Sequence, residues 1–374
     1  MTAIGAAPGV YREDLFPPLV PSLAVGVPVF IGLASQGDVN VPQQLTLWTE
    51  FESAFGTPSG YLGSAVCGFF ENDGLLCYAV RLDDTVTPVE SLRGGLAAAA
   101  GLDVDLVCAP DIAGTADTSA IPALQAEVLT HCEDVGDRLA ILDGVLTSER
   151  HDVEDQRTAL SGNDGALYHP WLWVTGQDGQ PWYVPPCGHV AGAYSRSDQR
   201  VGVHKAPANE PIEGVLDLRV NHTAADIGEL FQSGVNCLQA QPGRGSRIWG
   251  ARTLSAEVAW QQVSARRVFH TLSRWIERFL TDLVYEPNDV RLWVRIMREL
   301  TVYLDGLYSR GALRGRTADE AFFVKCDTET NPPEVVAAGT VVTLVGLALA
   351  APAEFVVARI IHGTNGVTIA TTGA

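Results

Sequence analysis

The stretch Glu257–Leu283, EVAWQQVSARRVFHTLSRWIERFLTDL, decides how the second half of this chain folds. Its apolar residues Val268, Phe269, Leu272, Trp275, Ile276, Phe279, Leu280 and Leu283 recur at three- and four-residue steps, the stripe of one long amphipathic helix. Glu286-Pro287-Asn288-Asp289 breaks the pattern. A second helix then runs to about Tyr308, with Leu292, Trp293, Ile296, Leu300, Tyr303, Leu304 and Leu307 on one face and Gly311 as its stop. Beyond it, Ala321–Lys325, Val335–Val345 and Phe355–Ile361 read as strands. This half is therefore expected to be two long helices on a small mixed sheet. The tail Asn365–Ala374 is apolar, threonine-rich and uncharged, the composition of an unpaired strand waiting for a sheet edge.

Towards the other end the pattern changes. Val25–Ala34, Cys77–Leu82, Asp103–Ala109, Arg138–Leu142 and Ala166–Val174 read as strands. Thr49–Phe55, Tyr61–Asn72 and Pro122–Val135 read as helices, Pro122 suiting a first turn. Alternation at this spacing indicates an α/β layered domain. Before it, Pro8, Pro17, Pro18 and Pro21 forbid a helix and suggest an extended arm. The expected fold class is thus α/β plus α+β, divided into an N-terminal arm (1–22), an α/β domain (23–208), a helical core domain (209–352) and a C-terminal strand arm (353–374).

With 374 residues, 47% hydrophobic and 18% charged, the chain can bury two cores and is not of disordered composition. Its formal charge of −19 argues against coating nucleic acid. That charge is uneven: Gln241–Lys325 holds 14 basic and 9 acidic residues, so one segment is basic and the remainder acidic. Only Lys205 and Lys325 are lysines; the other cations are arginines. Seven scattered cysteines without a CxxC pair suggest a reducing compartment. Met1–Val10 does not read as a signal peptide, so assembly in the cytoplasm is expected. The uncharged run Val335–Ala353 approaches a bilayer span, yet Gly339, Gly346, Pro352 and its β-branched clusters favour two buried strands.

No catalytic pattern emerges. The chain has no GxxxxGK[ST], GxSxG, HExxH or GxGxxG. Pro242-Gly243-Arg244-Gly245-Ser246-Arg247 lacks the lysine and hydroxyl of a phosphate loop and reads as a turn carrying two arginines. Asp103-Val104-Asp105 could be a metal pair, but capping the start of a buried strand explains it better. His131-Cys132 and Cys187-Gly188-His189 put thiols beside imidazoles only in sequence, whereas catalytic pairs are usually distant in the chain. Asn221-His222-Thr223 fits a glycosylation sequon that a cytosolic chain would not use. Trp171, Trp173 and Trp182 suit packing more than a ligand slot. No cofactor, metal or catalytic residue is expected.

Several ordered segments resemble the contractile tail sheath family of phages, R-type bacteriocins and extracellular contractile injection systems. Pro8-Gly9-Val10-Tyr11, Phe51–Gly56, Phe69-Phe70 and Cys77–Arg81 resemble its first half. Pro185–Ala193 and Gly202–Asn209-Glu210 are similar to its interdomain signature. The strongest block comprises Gly234-Val235-Asn236, Pro242–Gly245, Ile248–Thr253, Glu286-Pro287-Asn288, Leu292-Trp293, Gly311–Leu313, Ala321–Asp327 and Pro352–Phe355. Two departures stand out: Glu71–Leu76 replaces a usual Asn-Gly-Gly followed by basic residues, and Val341–Leu349 is unusually apolar.

The resemblance implies a structural subunit, not an enzyme, that forms a six-start helical homopolymer around an inner tube, with baseplate and cap proteins at its ends. It makes 23–208 the outer domain and 209–352 the inner, tube-facing one. It implies intersubunit strand arms carrying Val10, Tyr11, Phe355, Val356, Val357, Ile360, Ile361, Val367 and Ile369. It also makes Arg266, Arg267, Arg274, Arg278, Arg291, Arg295 and Arg298 candidates for contacting an acidic tube. A sheath paralogue at one end of the particle fits the same segments. The alternative from another class, an α/β enzyme with a helical accessory domain, would need a site that the motifs do not supply.

Overall fold

The computed structural model describes residues 23–58, 60–349, 354–364 and 366–372. The expected N-terminal arm, with Val10 and Tyr11, lies outside the described residues.

Eight strands form the main sheet: β1 (Pro28–Gly32), β2 (Gln43–Leu45), β3 (Cys77–Arg81), β4 (Leu106–Cys108), β5 (Leu139–Asp143), β6 (Gly165–His169), β10 (Val235–Gln241) and β11 (Gly245–Trp249). Three more, β7 (Leu172–Thr175), β8 (Pro181–Val184) and β9 (Val215–Leu218), form a separate small sheet. In the main sheet the order is β11-β10-β6-β5-β4-β1-β3-β2; the interior pairs are parallel and only β11 and β2, at the edges, run antiparallel. Register places Val29 beside Val107, Val107 beside Ala140 and Leu167 beside Val235.

A parallel sheet must be covered on both faces, and its interior strands carry apolar runs, PVFIG in β1, LVC in β4 and LAIL in β5. Phe30, Leu106, Leu139, Ile141 and Tyr168 face α1 (Trp48–Phe55), α2 (Leu62–Glu71) and, further on, α7 (Cys187–Arg200). Val29, Ile31, Val107, Ala140 and Leu167 face α3 (Pro88–Ala99), α5 (Ile121–Val135), α6 (Arg150–Thr158) and α8 (Ala224–Ser233). The short α4 (Pro110–Ala113) follows β4. Thr87 caps α3 reciprocally with Glu90, and Pro88 fills the first turn, where no N–H is needed. Close approach of α2 and α7 requires glycine: a Cβ on Gly188 would sit 2.2 Å from the Ala65 carbonyl oxygen.

The remaining elements build the second core: α9 (Val263–Thr281), α10 (Val290–Ser309), α11 (Ala318–Ala321), β12 (Phe322–Lys325), α12 (Pro333–Ala337), β13 (Val341–Leu347), β14 (Val356–Gly363) and β15 (Gly366–Thr372). Leu272, Ile276, Ile296, Leu300 and Leu304 of the two helices pack against Val345, Leu347, Ala358 and Ile360 of a sheet ordered β12-β13-β14-β15. Asp289 caps α10 by accepting hydrogen bonds from the N–H groups of Arg291 and Leu292.

Several expectations need correction. The boundary expected at 208/209 cuts the main sheet, because β10 and β11 complete it through Trp249. The second sheet is antiparallel rather than mixed. Ala166–Val174 is two strands in two sheets, β6 and β7, since Pro170 offers no N–H to continue a ladder. Val335–Val345 splits into α12 and β13 across Gly339, whose φ of +71° turns the chain. The long helix begins at Val263, after a short 3-10 turn at Val258–Trp260. The C-terminal arm expected over 353–374 is not unpaired in the single chain: β14 pairs with β13 from Leu347↔Val356 to Val341↔His362, and β15, in the tail expected to wait unpaired, pairs with β14 from Gly363↔Gly366 to Val357↔Thr372. The reason is burial, since Val356, Ala358 and Ile360 belong to the second core. No helix among the described residues is long and apolar enough to cross a membrane.

Candidate assembly surfaces

Three arginines of α9 point not outward but into the main sheet. Arg266 makes a bidentate pair with Asp164, 2.6 Å from Nε to Oδ1 and 3.0 Å from Nη2 to Oδ2, and lies over the Trp260 ring. His270 Nε2 meets the same carboxylate at 2.7 Å. Burial alone would raise the Asp164 pKa, but His270 and Arg266 outweigh it and hold it at about 2. Arg267 is 2% exposed and bridges two carboxylates: its Nη1 lies 3.0 Å from Asp198 Oδ1 and its Nη2 2.8 Å from Asp105 Oδ2. Burial pushes Asp198 up to about 6, only partly offset by Arg267. Arg274 pairs with Asp103 and donates to the Ala24 carbonyl oxygen at 3.1 Å.

The structure therefore removes Arg266, Arg267 and Arg274 from the outward-facing candidates. A guanidinium buried against carboxylates of its own chain cannot reach a separate surface without breaking that pair. The family resemblance placed their helix near a tube without saying which way each side chain points, and sequence carries no signal for the acidic partners, which come from α7 and from the residues just before β4 and β6. Asp105 in addition accepts hydrogen bonds from the N–H groups of Gly26 and Val27, as expected of a carboxylate capping a strand start.

The other four candidates are solvent-accessible. Arg278 is half exposed and shares Asp103 with Arg274. Arg291, Arg295 and Arg298 lie on the open face of α10, among the exposed Val290, Val294 and Val302. Arg295 approaches Glu286 at 3.4 Å and Arg298 meets Glu299 at 2.7 Å, both exposed pairs of little individual strength. Tyr285, 95% exposed, stands at the turn between α9 and α10. Of the arm candidates, Val367 and Ile369 lie on β15, the edge strand, half-buried against the helices.

The family's two models match the chain back to back. The phage tail sheath protein central domain covers residues 87–254, and the phage tail sheath C-terminal domain covers 255–361. The chain belongs to the tail sheath family. The junction of the two models falls just after β11, where the main sheet ends. The tail sheath protein of Vibrio phage KVP40 is 27% identical over 158 residues, which are 41% of this chain and 23% of that one, so the chain spans a minor part of this curated relative. Two solved structures resemble the sheath-family chain almost end to end. One, from the anti-feeding prophage (AFP) baseplate, is 28% identical with a TM-score of 0.73, covering 94% of this chain and 98% of that one. The other, from the PVC sheath complex of an extracellular contractile injection system in its contracted state, is 28% identical with a TM-score of 0.73, covering 95% and 97%.

Proposed function

We propose that this chain is the structural sheath subunit of a phage-tail-like contractile injection system, polymerising as a six-start helix around an inner tube and contracting to drive it through a target envelope. The observation that carries this reading is the two-way coverage of the AFP and PVC chains: what is similar is a whole subunit, not a shared domain. On this reading the main-sheet unit lies outside and the α9–α10 unit lies against the tube. Arg278, Arg291, Arg295 and Arg298 then meet an acidic tube, with Val290, Val294 and Val302 adding apolar contact. Many exposed ion pairs, each weak, hold an extended state and still let go together. The role is mechanical, and the particle would carry baseplate and cap proteins at its ends.

Strand exchange would connect neighbours. β15 is an edge strand whose exposed backbone could pair with a segment of a second copy, and donor and acceptor surfaces that differ propagate an open helix. Contraction would then be a movement of whole subunits about these strand links. Negative-stain electron microscopy of the purified chain, alone and co-expressed with a candidate tube protein, tests the proposal. Hollow ribbed cylinders are expected; small monodisperse particles under both conditions would overturn it.

A further inference from the structure

A cleft of about 480 Å³ opens between α2 and the β7–β8 turn, away from both the α10 face and the β15 edge. One wall is the small-residue face of α2, with Gly63, Ser64, Cys67 and Gly68. The opposite wall is Trp182, stacked on Tyr61 with ring centroids 5.2 Å apart and planes within 11°. At the floor lies His189 of α7, 2% exposed, and neither of its ring nitrogens has a hydrogen-bond partner among the described residues.

An unpartnered buried imidazole is costly, so its place in the fold invites explanation. Gly68 makes room for it, since a Cβ there would lie 2.3 Å from His189 Nδ1. A Cβ on Gly214 would lie 3.8 Å from His189 Nε2 and 2.2 Å from Glu71 Oε2, so the glycine keeps room beside both groups. Burial lowers the His189 pKa to about 4, so the ring is neutral near pH 7 and one nitrogen is a free acceptor. Burial likewise pushes the Cys67 thiol up to about 12, leaving it uncharged, with Gln177 Nε2 at 3.6 Å from its sulfur. Glu71 and Asp178 supply carboxyl groups at the rim, and the described lining contains no lysine or arginine.

Acceptors at the floor, carboxylates at the rim and an aromatic wall together suit a planar cation. We propose that this cleft is a receptor for a guanidinium group, donated by an arginine of a second copy of this chain. The chain offers such donors almost exclusively: its cations are arginines apart from two lysines, Lys205 and Lys325. Arg244, exposed at the tip of the β10–β11 turn, has no side-chain partner among the described residues. The choice of a second copy as occupant rests on the self-assembly reading above; the cation preference of the cleft does not.

Saturation-transfer NMR of the full chain with N-acetyl-L-arginine amide tests the site, with the citrulline counterpart as an uncharged probe of the same shape. The arginine probe should give a saturable signal, at least about fivefold weaker in an E71Q/D178N double variant, and the citrulline probe none. Equal signals from both probes, or no loss in the double variant, would overturn the site. Electron microscopy of the same variant tests the occupant: fewer sleeves than wild type are expected, and normal sleeves despite lost probe binding would refute the second copy as donor. A wild-type chain that binds the arginine probe but forms no sleeves would support the site and sink the sheath reading instead.

Discussion

Arg267 of α9 and Asp198 of α7 face each other across the two cores, with Nη1 3.0 Å and Nη2 2.5 Å from the two carboxylate oxygens. Asp105, at the start of β4, accepts from the same guanidinium. Together with Arg266–Asp164 and Arg274–Asp103, this pairing ties the long helix of the second core to the main sheet. A connection of buried charges is stiff because separating the partners exposes each to uncompensated burial. It gives the proposed contraction a unit that can move as one body.

Replacing Arg267 by methionine keeps much of the volume but leaves Asp105 and Asp198 buried without their cation. The loss expected is about 3–5 kcal/mol. Equilibrium urea unfolding checks it. A change below about 1 kcal/mol would mean that the carboxylates find other partners and that the ion bridge is not the tie described here.

Charge reversal should separate the two groups of arginines. The triple variant R291E/R295E/R298E alters exposed side chains, so circular dichroism and the thermal midpoint should stay near wild type while tube-filled particles disappear. Reversal at Arg266, Arg267 and Arg274 should instead abolish soluble expression. Unaltered tube-filled particles from the first triple would remove α10 as the tube-facing surface. Tube binding by the wild type should also weaken as salt rises, because the pairs concerned are exposed.

Asp143 gives a pH signature. Its Oδ1 accepts a hydrogen bond from the Cys187 N–H at 2.8 Å, and burial pushes its pKa from 3.8 up to about 7. A carboxyl raised in the folded state stabilises the fold fully below 3.8 and loses that contribution as pH climbs towards 7. The loss is on the order of a few kcal/mol. D143N keeps the acceptor oxygen without the charge. Its stability relative to wild type should therefore rise with pH across that window, measured by urea unfolding at a series of pH values; a flat difference would contradict the assignment.

The C-terminal strands need two deletions rather than one. Removing Phe355–Ala374 takes Val356, Ala358 and Ile360 out of the second core and should unfold it. Removing 365–374 deletes β15 and its half-buried Val367 and Ile369, leaving β12–β14 paired. That shorter chain should stay folded by circular dichroism yet form no sleeves. Normal sleeves from it would exclude β15 from subunit linkage.

How much was legible in the sequence differs between the two cores. The stripe from Val268 to Leu283 and its counterpart from Leu292 to Leu307 announced α9 and α10, because a 3.6-residue period is a local property that packing merely uses. The apolar runs of β1, β3 and β5 were equally plain, since strands covered on both faces need no polar alternation. Several helices do not show in the sequence reading, among them α6 and α8, α3, whose capping box is present at Thr87–Glu90, and α7, whose glycines look like breakers until α2 is packed against them.

By itself, then, the sequence determined the two long helices, the apolar strands of the α/β alternation and the family they belong to, all of which rest on local periodicity and ordered short motifs. Tertiary structure alone decided which arginines remain available for another molecule. Arg267 and Arg291 carry the same group on amphipathic helices, but one meets two carboxylates 69 and 162 positions away and the other meets solvent. No local pattern encodes that difference, because the partners are brought together only by the crossing of α9 over the sheet. The same holds for the cleft at His189, whose walls come from α2, α7 and the β7–β8 turn and converge only after the sheet has closed.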